Sequence, residues 1–95
     1  MSTNFVCFDD GQTQMTWDIE RNPFIIRVWK LVSGGTDRVH KADIFIPAYY
    51  DEVATRDRSP YNIVQDVAAL YHGGLDLSPD RDVMKSICEE EGYAF

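Results

Sequence analysis

The stretch Phe24-Ile25-Ile26-Arg27-Val28-Trp29-Lys30-Leu31-Val32 decides how this chain folds. It is rich in β-branched and aromatic residues, which suit a pleated surface, and Asn22-Pro23 and Ser33-Gly34-Gly35-Thr36-Asp37 bound it. Both of its alternating sets are apolar: Phe24, Ile26 and Val28 on one, Ile25, Trp29 and Leu31 on the other. That pattern predicts a central strand, or one covered on both sides.

Working outward, the glycine pair after Val32 predicts a hairpin, and Arg38 to Ile46 returns with Ala42, Ile44 and Ile46 on one face. Upstream of the Arg21-Asn22-Pro23 break, Met15, Trp17 and Ile19 alternate with Thr16, Asp18 and Glu20. Earlier still, Phe5-Val6-Cys7-Phe8 is an apolar run stopped by the turn signal Asp9-Asp10-Gly11. Four strands with short connections predict an antiparallel β-meander over residues 4–46.

The second half speaks in helix signals. Pro47 ends the sheet, and Tyr49, Tyr50 and Val53 have the spacing of a single helical turn before Arg58. Ser59-Pro60 reads as an N-cap followed by Pro at N1, and Gly73-Gly74 as a stop. Tyr61, Ile63, Val64, Val67, Ala68 and Tyr71 form the stripe between them. Ser78-Pro79 repeats the start, Gly92 follows, and Val83, Met84, Ile87 and Cys88 form the apolar face. The two Ser-Pro starts are a shared capping device, not an internal repeat. The expected architecture is α+β: the meander with two capped helices, about 60–72 and 79–91, packed on one face. It forms a single domain over residues 1–95, with a strand half 1–47 and a helical half 48–95.

Composition sets bounds on function. Hydrophobic residues at 44% and aromatics at 13% exclude a disordered tail. No apolar run approaches the roughly 18 residues of a membrane span. Met1-Ser2-Thr3-Asn4 has neither part of an export signal, so a cytoplasmic location is expected. Cys7 and Cys88 sit among apolar neighbours and are expected to be buried free thiols in a reducing compartment. Sixteen acidic residues against nine basic give a net charge of −7, with −1 carried by residues 1–47 and −6 by residues 48–95. Such a field repels nucleic-acid backbones and anionic membranes, so neither is expected as a direct partner.

Chemistry is scarce. His40, in mid-strand, is expected to face solvent or a neighbouring strand, and His72 to complement the negative end of a helix. Neither belongs to a motif that activates a nucleophile. The Cys and His spacing lacks the pattern of a zinc site, and Asp76, Asp80 and Asp82 lack that of a calcium loop. The glycine pairs stand at a hairpin and a helix end, not in a phosphate loop. The expectation is therefore a non-enzymatic protein with no catalytic residue, metal ligand or cofactor.

What remains is a surface. Tyr49-Tyr50 stand beside Asp51-Glu52 and before Asp57, and Glu89-Glu90-Glu91 leads into Tyr93. Three carboxylates at a helix C-terminus oppose the macrodipole, at about 0.3–1 kcal/mol each when exposed. Stability alone does not favour that arrangement. The expected partner-binding set is thus Tyr49, Tyr50, Asp51, Glu52 and Asp57, together with Glu89, Glu90, Glu91 and Tyr93.

The function this suggests is a small acidic inhibitor or modulator that presents a tyrosine-bearing face to a basic surface on another protein. In its sharpest form that surface binds nucleic acid, and the inhibitor competes for it. Acidic domains of this size occur among phage and mobile-element inhibitors and toxin-neutralising immunity proteins, an analogy of class only. The alternatives are a self-associating module pairing its Phe5–Phe8 edge across a two-fold axis, hence monomer or homodimer, and a small enzyme or ligand carrier built on His40, His72 or the aspartates.

Overall fold

Side chains close the turns. In the first, the Asp10 carboxylate accepts hydrogen bonds from the amides of Gln12 (2.9 Å) and Thr13 (2.7 Å), and Asp9 accepts one from Gly11 (2.8 Å). In the second, the amide of Arg21 bonds the Asp18 side chain at 3.2 Å. In the third, Ser33, Gly34 and Gly35 all take positive φ, which a glycine pair supplies at little cost. A computed structural model describes residues 5–47, 59–76 and 78–95. These turns connect β1 (Phe5–Asp9), β2 (Thr13–Asp18), β3 (Ile25–Val32) and β4 (Asp37–Phe45). The strands form one antiparallel sheet in the order β1-β2-β3-β4. With α1 (Pro60–His72) and α2 (Arg81–Glu90), the fold is the α+β meander with two C-terminal helices that the residue pattern predicts.

The helices do not share a face, and here the expectation needs correcting. Met15, Trp17, Ile26, Val28, Ile44 and Ile46 meet Ile63, Val64, Val67 and Ala68 of α1 in the main core. Ile25 and Phe45 belong to a second core with Met84 and Cys88 of α2, flanked by Phe24, Ile87, Tyr93 and Phe95. Ile26 pairs with Ile44 and Ile25 with Phe45, and successive residues of a strand point to opposite sides. With α1 on the first set, Ile25 and Phe45 would stand in water unless α2 covered the other side. The doubly apolar pattern of residues 24–32 carries that information.

Helix α1 has the expected bounds, capped by the Ser59 hydroxyl on the amide of Asn62 at 3.3 Å. Helix α2 starts later than 79. Asp80 caps it through the amide of Asp82 (2.8 Å), while the Ser78 hydroxyl donates to the carbonyl of Asp43 and ties the loop to β4. An aspartate is as good an N-cap as a serine, and its presence two residues on displaces the Ser-Pro start. Cys88 is buried as expected, but Cys7 is exposed: its β1 position points away from α1. Residues 48–58, including the turn expected near Tyr49–Arg58, lie outside the described residues.

Candidate functional site

Among the described residues, helix α2 covers only the Ile25–Phe45 end of its face, and the rest is bare. The bare part takes Phe5 and Cys7 from β1, Gln14, Thr16 and Asp18 from β2, and Arg27 and Trp29 from β3, by strand alternation. A β-bulge in β4 supplies the remainder. Val28 pairs with Ala42 but Trp29 with His40, so Lys41 is the extra residue. Without it, His40 and Arg38 would lie on the α1 side with Ala42; the bulge turns them to Trp29.

Trp29 is the hub. Its indole Nε1–H donates to the Thr16 hydroxyl at 2.9 Å. The Arg38 guanidinium lies 3.9 Å from the Trp29 ring centroid and donates to Gln14 Oε1 at 2.6 Å. The His40 ring stands 5.3 Å from the indole. His40 Nε2 and Arg27 Nη1 both reach Oδ1 of the buried Asp43, at 2.7 and 3.3 Å. Arg27 Nη2 also donates to the main-chain oxygen of Phe95 at 2.9 Å. Two arginines are thus held in place before any partner arrives, which lowers the ordering cost of binding. Together with Arg21 and Phe5 they line an open cleft of about 250 Å³ whose rim includes Ala94.

That rim leads back to the acidic residues. The helix ends in a Schellman motif: the amide of Tyr93 bonds the Cys88 carbonyl (2.8 Å) and that of Gly92 the Glu89 carbonyl (3.0 Å), with Gly92 at φ 81°. Glu89, Glu90 and Glu91 are exposed in this last turn, three residues before Ala94. Tyr93 is the motif's apolar contact, edge-on to Phe24 at 5.2 Å and half-buried, so it braces the tail. Tyr49, Tyr50, Asp51, Glu52 and Asp57 lie outside the described residues. The residue pattern does not single out Trp29, Arg27, Arg38 and Arg21 as site residues, and it marks Phe5 only as part of a pairing edge.

The other chemical groups are tied up. His72, at the end of α1, pairs with Asp10 at 3.4 Å. The amides of Thr13 and Gln12, and then His72, hold the Asp10 carboxyl below its ordinary range. Burial pushes the Cys7 thiol up and Asp9 adds to this, against the opposing effect of Arg38, so the thiol is mostly protonated at neutral pH. His40 and Asp43 form an acid–base pair, yet by sheet register Cys7 stands three strands away from Asp43. Among the described residues no group of three or more His, Cys, Asp or Glu could hold a metal ion, and no helix is long and apolar enough to cross a membrane. Comparison with known proteins finds no matching family model, no similar curated protein and no similar solved structure.

Proposed function

We propose that this protein is a non-enzymatic protein-binding modulator whose anchor surface is the bare half of the sheet. The observation that carries the reading is the pre-ordered set of Trp29, Arg27 and Arg38 beside exposed Phe5. Trp and Arg are the residues most enriched at interface hot spots, and arginines already held by hydrogen bonds lose little freedom on docking. Holding the exposed Arg38 over Trp29 contributes little to monomer stability, since an exposed cation–π contact gives about 0.5–1 kcal/mol.

The acidic turn of α2 adds selection at a distance. A net charge of −7, with Glu89, Glu90 and Glu91 exposed in the turn that precedes Ala94, draws in proteins with basic surfaces and raises the association rate. Basic surfaces commonly bind nucleic acid. The sharper form is then an inhibitor that competes with DNA or RNA for its target.

The test is affinity capture from nuclease-treated host lysate with three baits: the wild-type chain, the Trp29→Ala/Arg38→Ala double variant, and a Glu89→Lys/Glu90→Lys/Glu91→Lys triple variant. The expected result is a protein retained by the wild type at low salt, released from the double variant at any salt, and captured more slowly by the triple variant. Equal retention by the double variant removes the bare face from the function. Retention of nothing but the bait removes the binding reading altogether.

A further inference from the structure

We propose that β1 is a dimerisation edge: two copies pair their β1 strands antiparallel about a two-fold axis through Cys7, joining two sheets into one continuous sheet. This dimer forms through the main-chain groups of the sheet's outer edge, whatever binds the bare face that Phe5 and Cys7 also share.

The amide of Asp10 bonds the carbonyl of Thr13 at 3.2 Å, which marks that position as a hydrogen-bonded pair. Antiparallel pairs alternate, so Phe8–Met15 and Val6–Trp17 are hydrogen-bonded too, while the N–H and C=O groups of Phe5, Cys7 and Asp9 point away from β2. On the other side of β2, the Leu31 amide bonds the Gln12 carbonyl at 2.9 Å, the complementary phase. Among the described residues no strand pairs with the outer edge of β1, which therefore offers a row of outward donors and acceptors.

The two edges of the sheet differ. β4 carries Asp37, Arg38, His40 and Lys41 and a bulge, the devices that keep an edge from pairing. β1 has no proline, no lysine and no bulge, and is uncharged from Phe5 through Phe8. Phe5 is 53% exposed and Cys7 exposed, while Val6 and Phe8 lie partly buried at the margin of the main core. In a protein of net charge −7 this is a contact that two copies can make without setting like charges together.

Charge and overlap fix the register. Outward-pointing residues must meet outward-pointing residues, and pairing along the whole strand then sets Cys7 opposite Cys7 of the second copy. Phe5 falls opposite Asp9, so Asp9 never faces its own counterpart. Val6 falls opposite Phe8 twice, which extends the apolar layer beneath α1 across the axis. The contact is isologous and closes at two copies. At a hydrogen-bonded site the two Cys7 Cα atoms lie about 5.5 Å apart, within the span of a disulfide.

The experiment uses the full chain: mass by light scattering over a wide concentration range, then oxidation with copper phenanthroline. The oxidant takes up two electrons as two Cys7 thiols lose their protons and form one disulfide. Expected results are a concentration-dependent dimer, strengthened by added salt because like net charges are screened, and a covalent dimer that Cys7→Ser abolishes without changing the non-covalent mass. Cys7→Pro removes only an outward N–H, leaving the β1–β2 ladder whole, and should weaken association about tenfold. In the Cys7→Ser background, Phe5→Cys should link to Asp9→Cys in a mixture and not to itself. Monomeric mass at every concentration overturns the proposal. So does a Phe5→Cys variant that links to itself, a test that stands even if Cys7→Pro fails to fold.

Discussion

Asn22, only 7% exposed, joins the turn before β3 to the end of the chain. Its Nδ2 donates to the Ala94 carbonyl at 2.8 Å and lies 3.4 Å from Cys88 Sγ, and its Oδ1 accepts from the Phe24 amide at 3.0 Å. Asn22→Ala deletes two well-formed hydrogen bonds at about 1 kcal/mol each and strands a carbonyl and an amide, for a loss of roughly 2–3 kcal/mol. A domain of this size has about 5–14 kcal/mol in all. Asn22→Asp is the sharper test. It keeps the shape and the Phe24 bond but turns an acceptor towards the Ala94 carbonyl. Burial raises the new carboxyl above its ordinary value of about 3.9, and only the protonated form can donate to Ala94. A folded-state pKa above the unfolded one means the stability present at low pH is lost as pH rises through the folded value. The Asp variant should thus approach wild type near pH 4 and fall below the Ala variant by pH 7. Urea midpoints at constant m-value measure this, with the Tyr93 ring resonances reporting the tail. An Ala variant within about 0.5 kcal/mol of wild type, or an Asp variant that gains stability with pH, would refute the latch.

The two cores should behave as separate units. Ile63→Ala under α1 and Met84→Ala under α2 should each cost about 2–5 kcal/mol and add to within about 0.5 kcal/mol in denaturant unfolding; strong coupling would contradict opposite-face packing. The triple change Glu89→Lys/Glu90→Lys/Glu91→Lys should raise the thermal midpoint at low salt, since each carboxylate opposes the helix dipole by about 0.3–1 kcal/mol, while it slows partner capture. Asp10 has a depressed carboxyl pKa, so its contribution is present above the unfolded value near 3.9 and is lost as pH falls through the folded one. Asp10→Asn should therefore lower the unfolding midpoint at neutral pH, leave it nearly unchanged at pH values below the folded pKa, and so flatten the acid limb between them.

The strands and both helices were legible because each is written in local pattern: alternation, stripes and caps at Ser59, Gly74 and Gly92. What escaped depends on counting across strands. The bulge at Lys41 leaves no mark in the sequence, yet it alone decides that Arg38 and His40 join Trp29 and not the α1 side. Asn22 reads as a strand breaker, and its second role needs Ala94, far along the chain, to be close. Tyr93 reads as a surplus aromatic until the Schellman motif at Gly92 folds it onto Phe24. The acidic triplet was legible as a functional candidate for a reason the fold leaves intact: its position is unfavourable for the helix that carries it.

One length links the fold to the exposed anchors. Helix α2 has 10 residues, about 15 Å at 1.5 Å per residue, whereas the 8 residues of β3 extend about 26 Å. Helix α2 is seated on Ile25 and Phe45, and Trp29 does not belong to its core. Apolar cover for Trp29 and Phe5 would stabilise the monomer by about 25 cal/mol for each Å² removed from water. Polar partners hold the indole in place there instead: Thr16 fixes its N–H and Arg38 its face. Ala94, three residues beyond Glu91, lines the cleft, so residues 92–94 link the acidic turn of α2 to the anchors.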